Sequence, residues 1–246
     1  MHDSLRFTDH RPWPLPKTPW LIAQTWSSLL FAHWRVPIAT LRALIPEPLE
    51  IDTFDGEAWI GVVPFELRIR PRWMPVIPKI GSFPEINVRT YVKLNGQAGV
   101  WFFSLDAASP LAVRAARWSF NLPYFDAKMV CRETNDGFDY ESQQRKSKIP
   151  ADFRARYEAT SDPFEADSGS LEEWLTERYC LYAQNRLGSI LQTEVHHAKW
   201  QLQNAKCQIQ CNSMTAPLDI VLTGDPLLHF ARSIDVVNWL PKKVAR

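Results

Sequence analysis

The dipeptide Asn95-Gly96 constrains the fold more than any other feature of this sequence. Asn-Gly is the strongest short-range signal for a two-residue β-hairpin turn, because both central residues of that turn need positive φ angles. Such a turn fixes the register of the flanking strands, although the second glycine, Gly99, leaves a longer turn open. The register matters because a slip of one residue would mix the two faces of the hairpin. Its apolar face pairs Ile86 with Leu105, Val88 with Phe103, and Thr90 with Trp101.

The opposite face of the hairpin is polar along its first strand. Its predicted pairs are Glu85 with Asp106, Asn87 with Ser104, Arg89 with Phe102, and Tyr91 with Val100. Such a face is either a solvated sheet surface or the wall of a small-molecule pocket. Phe102 and Val100 are atypical of a solvated surface, and Arg89 and Tyr91 can donate directional hydrogen bonds to a carboxylate or a carbonyl group. The local pattern alone leaves both interpretations open.

Capping residues and prolines predict three helices. Pro37 begins the first helix and Pro46 ends it. Ser109-Pro110 begins the second helix, which ends near Trp118. A Ser170–Glu173 capping box begins the third helix, which ends near Gln184. Pro suits the first turn of a helix, Ser accepts hydrogen bonds from the free amides there, and a Ser-x-x-Glu pair does so reciprocally. The nineteen prolines favour turns and short elements over long helices.

The remaining patterns predict strands within one domain. Residues 57–70 alternate loosely, with Pro64 marking a bulge or a sheet edge, and residues 200–239 alternate and break as late strands do. The sequence therefore predicts an α+β fold with a largely antiparallel sheet. We expect residues 1–25 to form an extended, Pro-rich N-terminal arm and residues 26–246 to form a single domain.

Charge, hydropathy and missing motifs exclude several classes of protein. With 28 basic and 27 acidic residues the chain has no basic field for nucleic acid, and no run of 18 apolar residues predicts a membrane span. Phosphate-binding glycine loops, Gly-x-Ser-x-Gly elbows and Cys-x-x-Cys pairs are absent from the sequence, so we expect no cofactor and no metal. Four dispersed cysteines and no secretory signal favour a reducing compartment, the cytoplasm. The sequence leaves the oligomeric state open, a homo-oligomer included.

Two clusters of titratable residues have plain structural interpretations. His196 and His197 are adjacent, so on a strand they point in opposite directions and do not easily bind one metal. Hydrogen-bonded structural histidines are the favoured interpretation. A second group, Arg117, Tyr124, Asp126 and Lys128, follows the second predicted helix, where charged residues are usually solvated. Nothing local indicates that Lys128 loses its proton and becomes a nucleophile.

Dispersed sequence stretches give the chain a family resemblance. They include residues 31–35, 45–49, 85–92, 101–106, 122–125, 177–179 and 216–218. On these stretches the chain resembles the uncharacterised bacterial YqjF-type family from about residue 26 to residue 240. More distantly it is similar to acetoacetate decarboxylase, at residues 41–52, at Glu85 behind Pro84, and at residues 212–222. That resemblance implies a compact α+β fold whose mostly antiparallel sheet closes into a barrel-like core around a buried pocket.

The chain departs from the decarboxylase pattern at Tyr124. In that enzyme an arginine and a Tyr-Pro pair precede two lysines, the first of which forms a Schiff base, and the enzyme is a standard example of an activated amine. Here Arg117 and Leu122-Pro123 keep the frame, but Tyr124-Phe125 occupy the lysine positions. A phenol with an ordinary pKa near 10 cannot form an imine. We therefore expect no Schiff-base decarboxylation, and Lys128 would need a different placement to replace the lysine.

The resemblance and the polar face together give a site hypothesis. Glu85, Arg89, Arg117 and Tyr124 are predicted to line the inherited pocket, with an arginine pairing with a ligand carboxylate. Tyr124 would donate to a carbonyl or hydroxyl group, and Glu85 would act as a base or neutralise an arginine. The predicted function is a pocket for a small carboxylate or carbonyl compound, with catalysis undecided. The alternative is a non-catalytic protein, either ligand-binding or with a vestigial pocket closed by Phe125 and Trp118.

Overall fold

The computed structural model describes residues 2–73, 81–144, 149 and 151–245. Helices are short and strands dominate. The helices are α1 (Ile38–Arg42), α2 (Pro110–Phe120) and α3 (Leu171–Thr176). The strands are β1 (Ile22–Val36), β2 (Glu50–Ile51), β3 (Ala58–Pro71), β4 (Ser82–Leu94), β5 (Gln97–Ala107), β6 (Tyr124–Thr134), β7 (Gly137–Gln144), β8 (Asp152–Ala159), β9 (Cys180–Gln184), β10 (Ile190–His197), β11 (Leu202–Asn212), β12 (Leu227–Asn238) and β13 (Lys242–Ala245).

The described strands pair into one sheet that is antiparallel apart from the contacts of β5 with β6 and with β9. The strand order is β13-β10-β9-β5-β6-β7-β8-β11-β12-β1-β3-β4-β2, with additional pairings of β10 with β12 and of β5 with β4. The predicted α+β class and the largely antiparallel sheet are therefore confirmed. None of the helices in the described ranges is long and apolar enough to cross a membrane.

Two of the three predicted helices form as expected and the third is much shorter. Ser109 Oγ accepts a hydrogen bond from the Ala112 amide at the start of α2, and Pro37 precedes α1. Ser170 Oγ caps α3 through the Glu173 amide, but this helix ends at Thr176, so the prediction that it continues to about Gln184 is wrong. Residues 180–184 instead form β9, because a pairing with both β10 and β5 outweighs local helical pattern.

Pro64 lies inside the sheet, opposite a bulge. Strand β3 is paired on both sides, with β1 and β4, so the prediction of an edge is wrong and that of a bulge is right. The bulge is in β1, where the register shifts between Ser27 and Ala32 and where Ser28 has a φ of 52°. Proline has no amide hydrogen to donate, so it is tolerated where the ladder towards β1 is already interrupted.

The hairpin prediction is right near the turn and wrong beyond it. Asn95 and Gly96 both have positive φ and form the two-residue turn, so Thr90 pairs with Trp101 as predicted. A register shift between Val88 and Arg89 leaves Phe103 as an extra residue in β5, so Glu85 pairs with Ala107 instead of Asp106. The bulge brings an apolar residue of β5, Leu105, beside Asn87 on the face that was predicted to carry Asp106 and Ser104.

Strand β4 separates two packed clusters. Ile86 and Val88 belong to one cluster, which also contains the buried tyrosines Tyr140 and Tyr157. The other face of β4 is directed towards a second cluster formed by apolar residues of β1, β3, β5, β6 and β10. Because side chains alternate along a strand, Glu85, Asn87 and Arg89 project towards this second cluster, while Tyr91 packs in a smaller cluster with Trp59, Val100 and Leu175. The polar face is therefore inside the protein.

Candidate functional site

A cavity with a volume of about 400 Å³ lies on the polar face of β4. Its walls are mostly apolar and come from β1, β3, β5, β6, β9, β10 and α2. The polar groups that line it include Glu85, Asn87, Arg89, Tyr124, Thr176, Arg178 and His197. A largely apolar cavity of this size with a few convergent polar groups is typical of small-molecule sites. The structure thus brings together three of the four predicted site residues, Glu85, Arg89 and Tyr124.

Glu85 and Tyr124 form a direct contact in the cavity wall. The Tyr124 hydroxyl donates to Glu85 Oε2 at 3.1 Å, and both side chains are buried. Tyr124 is the first residue of β6 and pairs with Leu105, while the Arg117 side chain donates to the Tyr124 carbonyl oxygen at 2.6 Å. On the other side of β4, the Tyr140 hydroxyl donates to the Glu85 carbonyl oxygen at 2.7 Å. Both partners are therefore held in place through their backbones.

Burial controls the protonation state of this pair. Loss of solvent raises the pKa of Glu85 from an ordinary 4.5 to about 8, against the opposing effect of the Tyr124 hydrogen bond. Burial, and then the negative form of Glu85, raise the pKa of Tyr124 well above its ordinary value. At neutral pH the carboxyl group is therefore mostly protonated and the phenol is intact. The pair can donate a proton or a hydrogen bond to an oxygen atom in the cavity.

Arg89 is a buried cation that lacks an acidic partner. Its side chain stacks over Phe31, 5.2 Å from the ring centroid, and NH2 donates to the Leu175 carbonyl oxygen at a long 3.4 Å. Arg89 is 8% exposed and its Nε has no hydrogen-bond partner. Among the described residues no carboxylate lies within ion-pairing distance of this guanidinium. A buried charge of this kind is costly unless another group neutralises it.

Arg178 is a cavity residue that the sequence interpretation missed. It follows α3, in a segment that was predicted to be helical, and its only signal was that residues 177–179 belong to the stretches of family resemblance. Its NH1 lies 2.6 Å from Asp52 Oδ2, and Asp52 Oδ1 lies 2.6 Å from Lys93 Nζ. Arg178 NH2 is buried without a hydrogen-bond partner, as is Oδ1 of the neighbouring Asn87. Unlike Arg89, Arg178 has a carboxylate of its own.

Several predicted or considered residues lie outside the cavity. Arg117 is exposed and does not line it, so its contribution is to hold the backbone at Tyr124. Lys128 is exposed on β6. Trp118, which is 87% exposed, and Phe125, which is 37% exposed, do not fill the cavity. Tyr91 belongs to the same strand face, but its hydroxyl group is hydrogen-bonded to His33 Nε2 at 2.7 Å, and neither residue lines the cavity.

The two adjacent histidines have structural partners. His196 Nε2 lies 2.8 Å from the Ser4 carbonyl oxygen and His197 Nδ1 lies 2.7 Å from that of Ala198. Burial lowers the pKa of each to about 4, so both rings are neutral at physiological pH. Among the residues that the structure describes, no group of three or more His, Cys, Asp or Glu side chains is arranged to hold a metal ion.

Sequence comparison finds relatives whose function is not described. The model of the DUF2071 family, described as an uncharacterized conserved protein, matches residues 23–235. The uncharacterized protein YqjF of Bacillus subtilis is 46% identical over 231 residues, which is 93% of this chain and 95% of YqjF.

Structural comparison finds acetoacetate decarboxylase-like folds. The enduracididine biosynthesis enzyme MppR, complexed with the condensation product of pyruvate and imidazole 4-carboxaldehyde, has a TM-score of 0.66 at 10% identity. The match covers 93% of this chain and 90% of MppR. Acetoacetate decarboxylase from Legionella pneumophila has a TM-score of 0.62 at 15% identity and covers 99% and 95% of the two chains. At these identities the likeness establishes the fold alone.

Proposed function

Because this chain belongs to the DUF2071 family and has an acetoacetate decarboxylase-like fold, we propose that it binds a small carboxylate or carbonyl compound in the cavity beside Glu85. The strand pairings that connect β10, β12, β1, β3, β4, β5 and β9 in turn support a barrel-like core around this cavity. The proposed location is the one where the resemblance to acetoacetate decarboxylase implies a pocket, but the residues that contact the ligand differ from those of a Schiff-base enzyme.

The observation that carries the proposal is the uncompensated charge of Arg89. A buried guanidinium normally has a carboxylate within reach, because desolvation of an isolated charge costs several kcal/mol. Arg89 has none among the described residues; it lines the cavity, and its buried Nε has no hydrogen-bond partner. A ligand carboxylate would supply the missing negative charge, and a planar guanidinium binds such a group well.

The Glu85–Tyr124 pair is the proposed partner of a ligand carbonyl or hydroxyl oxygen. A protonated carboxyl group beside a phenol offers hydrogen-bond donors to an oxygen on which negative charge develops. The raised pKa of Glu85 also suits a general acid near neutral pH. The described lining of the cavity contains no lysine, and Tyr124 stands where the resemblance places the Schiff-base lysine. We therefore propose chemistry, or binding, that does not pass through an imine.

A thermal-shift screen against small carboxylates and carbonyl compounds tests the proposal. A ligand at 100 times its dissociation constant should stabilise the folded protein by about 2.7 kcal/mol. Arg89→Gln should abolish the stabilisation by acids, whereas Arg114→Gln, which removes the same charge from an exposed position outside the cavity lining, should preserve it. Borohydride treatment with keto acids should trap no adduct. A trapped lysine adduct, or equal acid binding by Arg89→Gln, would contradict the proposal.

A further inference from the structure

The polar groups of the cavity stand at two separate stations along β4. Glu85 and Arg89 are four residues apart on one strand face, so their Cα atoms are about 13 Å apart. The Arg89 guanidinium stacks on Phe31 and donates to the Leu175 carbonyl oxygen, and Arg89 is not among the groups that shift the pKa of Glu85, so the two side chains are well separated. A three- or four-carbon keto acid is too short to reach both stations at once. Any ligand that satisfies both must be longer.

The wall between the two stations is apolar. Val63 pairs with Asn87 on one side of β4, Leu105 pairs with it on the other, and Phe102 pairs with Arg89. Asn87 is the one polar residue of β4 between the stations on this face. A hydrocarbon segment is the ligand chemistry that such a wall favours, because burial of apolar surface drives its transfer from water.

Helix α2 gives the cavity room beyond Glu85. Ala115 and Ala116 follow Ala112 by three and four residues, so they lie on the same side of the helix as Ala112, and all three line the cavity together with Leu111. Alanine side chains leave space where larger residues would fill it. The cavity therefore extends past the Glu85–Tyr124 pair towards α2, again between apolar surfaces.

The unpaired positive charge in the cavity determines how many carboxylates the ligand carries. Arg178 lines the same cavity but pairs with Asp52 at 2.6 Å, whereas Arg89 has no described acidic partner. Asp52 also contacts Lys93 at 2.6 Å, but the Lys93 side chain is 41% exposed, so solvent screens its charge. Among these groups the guanidinium of Arg89 is the one that a single ligand carboxylate would match.

We propose that the ligand class is an elongated monocarboxylic acid with an apolar body and an oxo or hydroxyl group remote from the acid. Its carboxylate binds Arg89, its hydrocarbon segment lies along Val63, Phe102 and Leu105, and its second oxygen contacts Glu85 and Tyr124. The rest of the chain extends towards the alanine face of α2. This inference rests on the proposed binding of a carboxylate in the cavity, and it adds the length and the character of the molecule.

Titration with straight-chain acids from butyrate to dodecanoate tests this inference on the unmodified protein. Trp26 and Trp200 line the cavity, so intrinsic fluorescence can report binding. Affinity should rise about fourfold per added methylene until the cavity is full, and then fall. Alcohols of the same lengths should bind more weakly to the wild type. They should bind about equally to wild type and Arg89→Gln, because they do not use the charge.

Ala115→Trp tests where the far end of the acid lies. Ala115 is exposed at the helix surface and lines the cavity, so the substitution should shorten the best-binding acid without disturbing the core. Arg114→Trp adds the same ring at an exposed position outside the lining and should leave the optimum unchanged. If pyruvate, acetoacetate and butyrate bind as tightly as the long acids, the length inference is wrong while carboxylate binding stands. If no acid binds at any length, both proposals fail.

Discussion

Two buried arginines in this protein have opposite surroundings. Arg11 precedes β1, is 1% exposed in its side chain, and pairs at 3.0 Å with Glu194, itself 6% exposed. Its other nitrogens donate to the carbonyl oxygens of Trp13 and Val195. Arg89 is comparably buried but has an unpartnered Nε and no described carboxylate beside it. Stacking does not distinguish them, since Arg11 lies over Tyr179 as Arg89 lies over Phe31.

This difference in hydrogen-bond and ion-pair partners distinguishes a structural arginine, Arg11, from a proposed ligand-binding arginine, Arg89. Arg11 satisfies its donors inside the protein and fastens the segment before β1 to β10, so its role is complete without a ligand. Arg89 lines a cavity and has a buried Nε without a hydrogen-bond partner, so in the proposed function a ligand carboxylate supplies its counter-charge. Buried charges are normally paired, so a buried charge without a partner is more informative about function than a buried ion pair. The comparison predicts different outcomes when each charge is removed.

The largest effect on the free energy of unfolding is expected at the Arg11–Glu194 ion pair. Glu194→Gln leaves Arg11 buried without its counter-charge and should cost about 3–5 kcal/mol of unfolding free energy. Arg89→Gln removes a buried charge that has no partner, so the ligand-free protein should lose no stability and should gain up to a few kcal/mol. Urea unfolding monitored by circular dichroism measures both. An equally large loss in Arg89→Gln would show that Arg89 is structural and would break the distinction.

The titration of Glu85 should make the free energy of unfolding depend on pH. Glu85 has a pKa raised to about 8 from an ordinary 4.5, so between these values the folded protein holds a proton that the unfolded chain releases. Stability from this group is therefore greatest below about pH 4.5 and is lost as the pH rises through 8. Glu85→Gln removes this dependence, and relative to wild type it should gain on the order of 3 kcal/mol between pH 5 and pH 9.

Asp106 provides the control for that measurement. Burial raises its pKa to about 7, and it lies on the opposite face of the β4–β5 pair under Gln144. Asp106→Asn should flatten the pH dependence at lower pH and leave the titration of Glu85 visible, with its pKa somewhat lowered because the charge of Asp106 contributes to raising it. If Glu85→Gln shows the wild-type pH dependence of stability, Glu85 is ionised in the folded state. The proposed donor role would then be lost.

Local sequence patterns predict which residues of β4 share a face, but not how the neighbouring strand pairs with them. The Asn95-Gly96 turn and strand alternation are sufficient to place Glu85, Asn87 and Arg89 on one face of β4. They do not predict the bulge at Phe103, because a bulge depends on how the partner strand packs against the rest of the protein. That bulge decides that Leu105 rather than Asp106 lies on the cavity side.

Long-range contacts account for what the sequence does not reveal. The Arg11–Glu194 ion pair is not predictable from local patterns, because Arg11 contacts Val195 and Glu194 more than 180 positions away in the sequence. The segment before β1 also carries no periodic pattern. Arg178 was missed for a related reason, since the helical signal that begins at Ser170 does not show where sheet pairing takes over. Arg117 was placed in the cavity by resemblance, whereas the structure turns its guanidinium to the Tyr124 backbone.

The smallest expected effect separates the chemistry of the pair from its packing. Tyr124→Phe removes one hydrogen bond to Glu85 Oε2 and should cost about 1 kcal/mol of stability. Because that bond lowers the pKa of Glu85, its loss should raise the pKa above 8, which carboxyl NMR can follow. Oxo acids should bind more weakly, by about fivefold, while the unsubstituted acids of equal length are unaffected.

Tyr140→Phe is the matched control for this last measurement, because its hydroxyl donates to the Glu85 backbone and not to the carboxyl group. It should lower stability by a similar amount without moving the pKa of Glu85 or the preference for oxo acids. If both variants change binding alike, the tyrosines act by packing. If only Tyr124→Phe does so, the phenol contacts the ligand oxygen, and the two ends of the cavity have separate roles: Arg89 selects the acid, and Tyr124 with Glu85 selects the second oxygen.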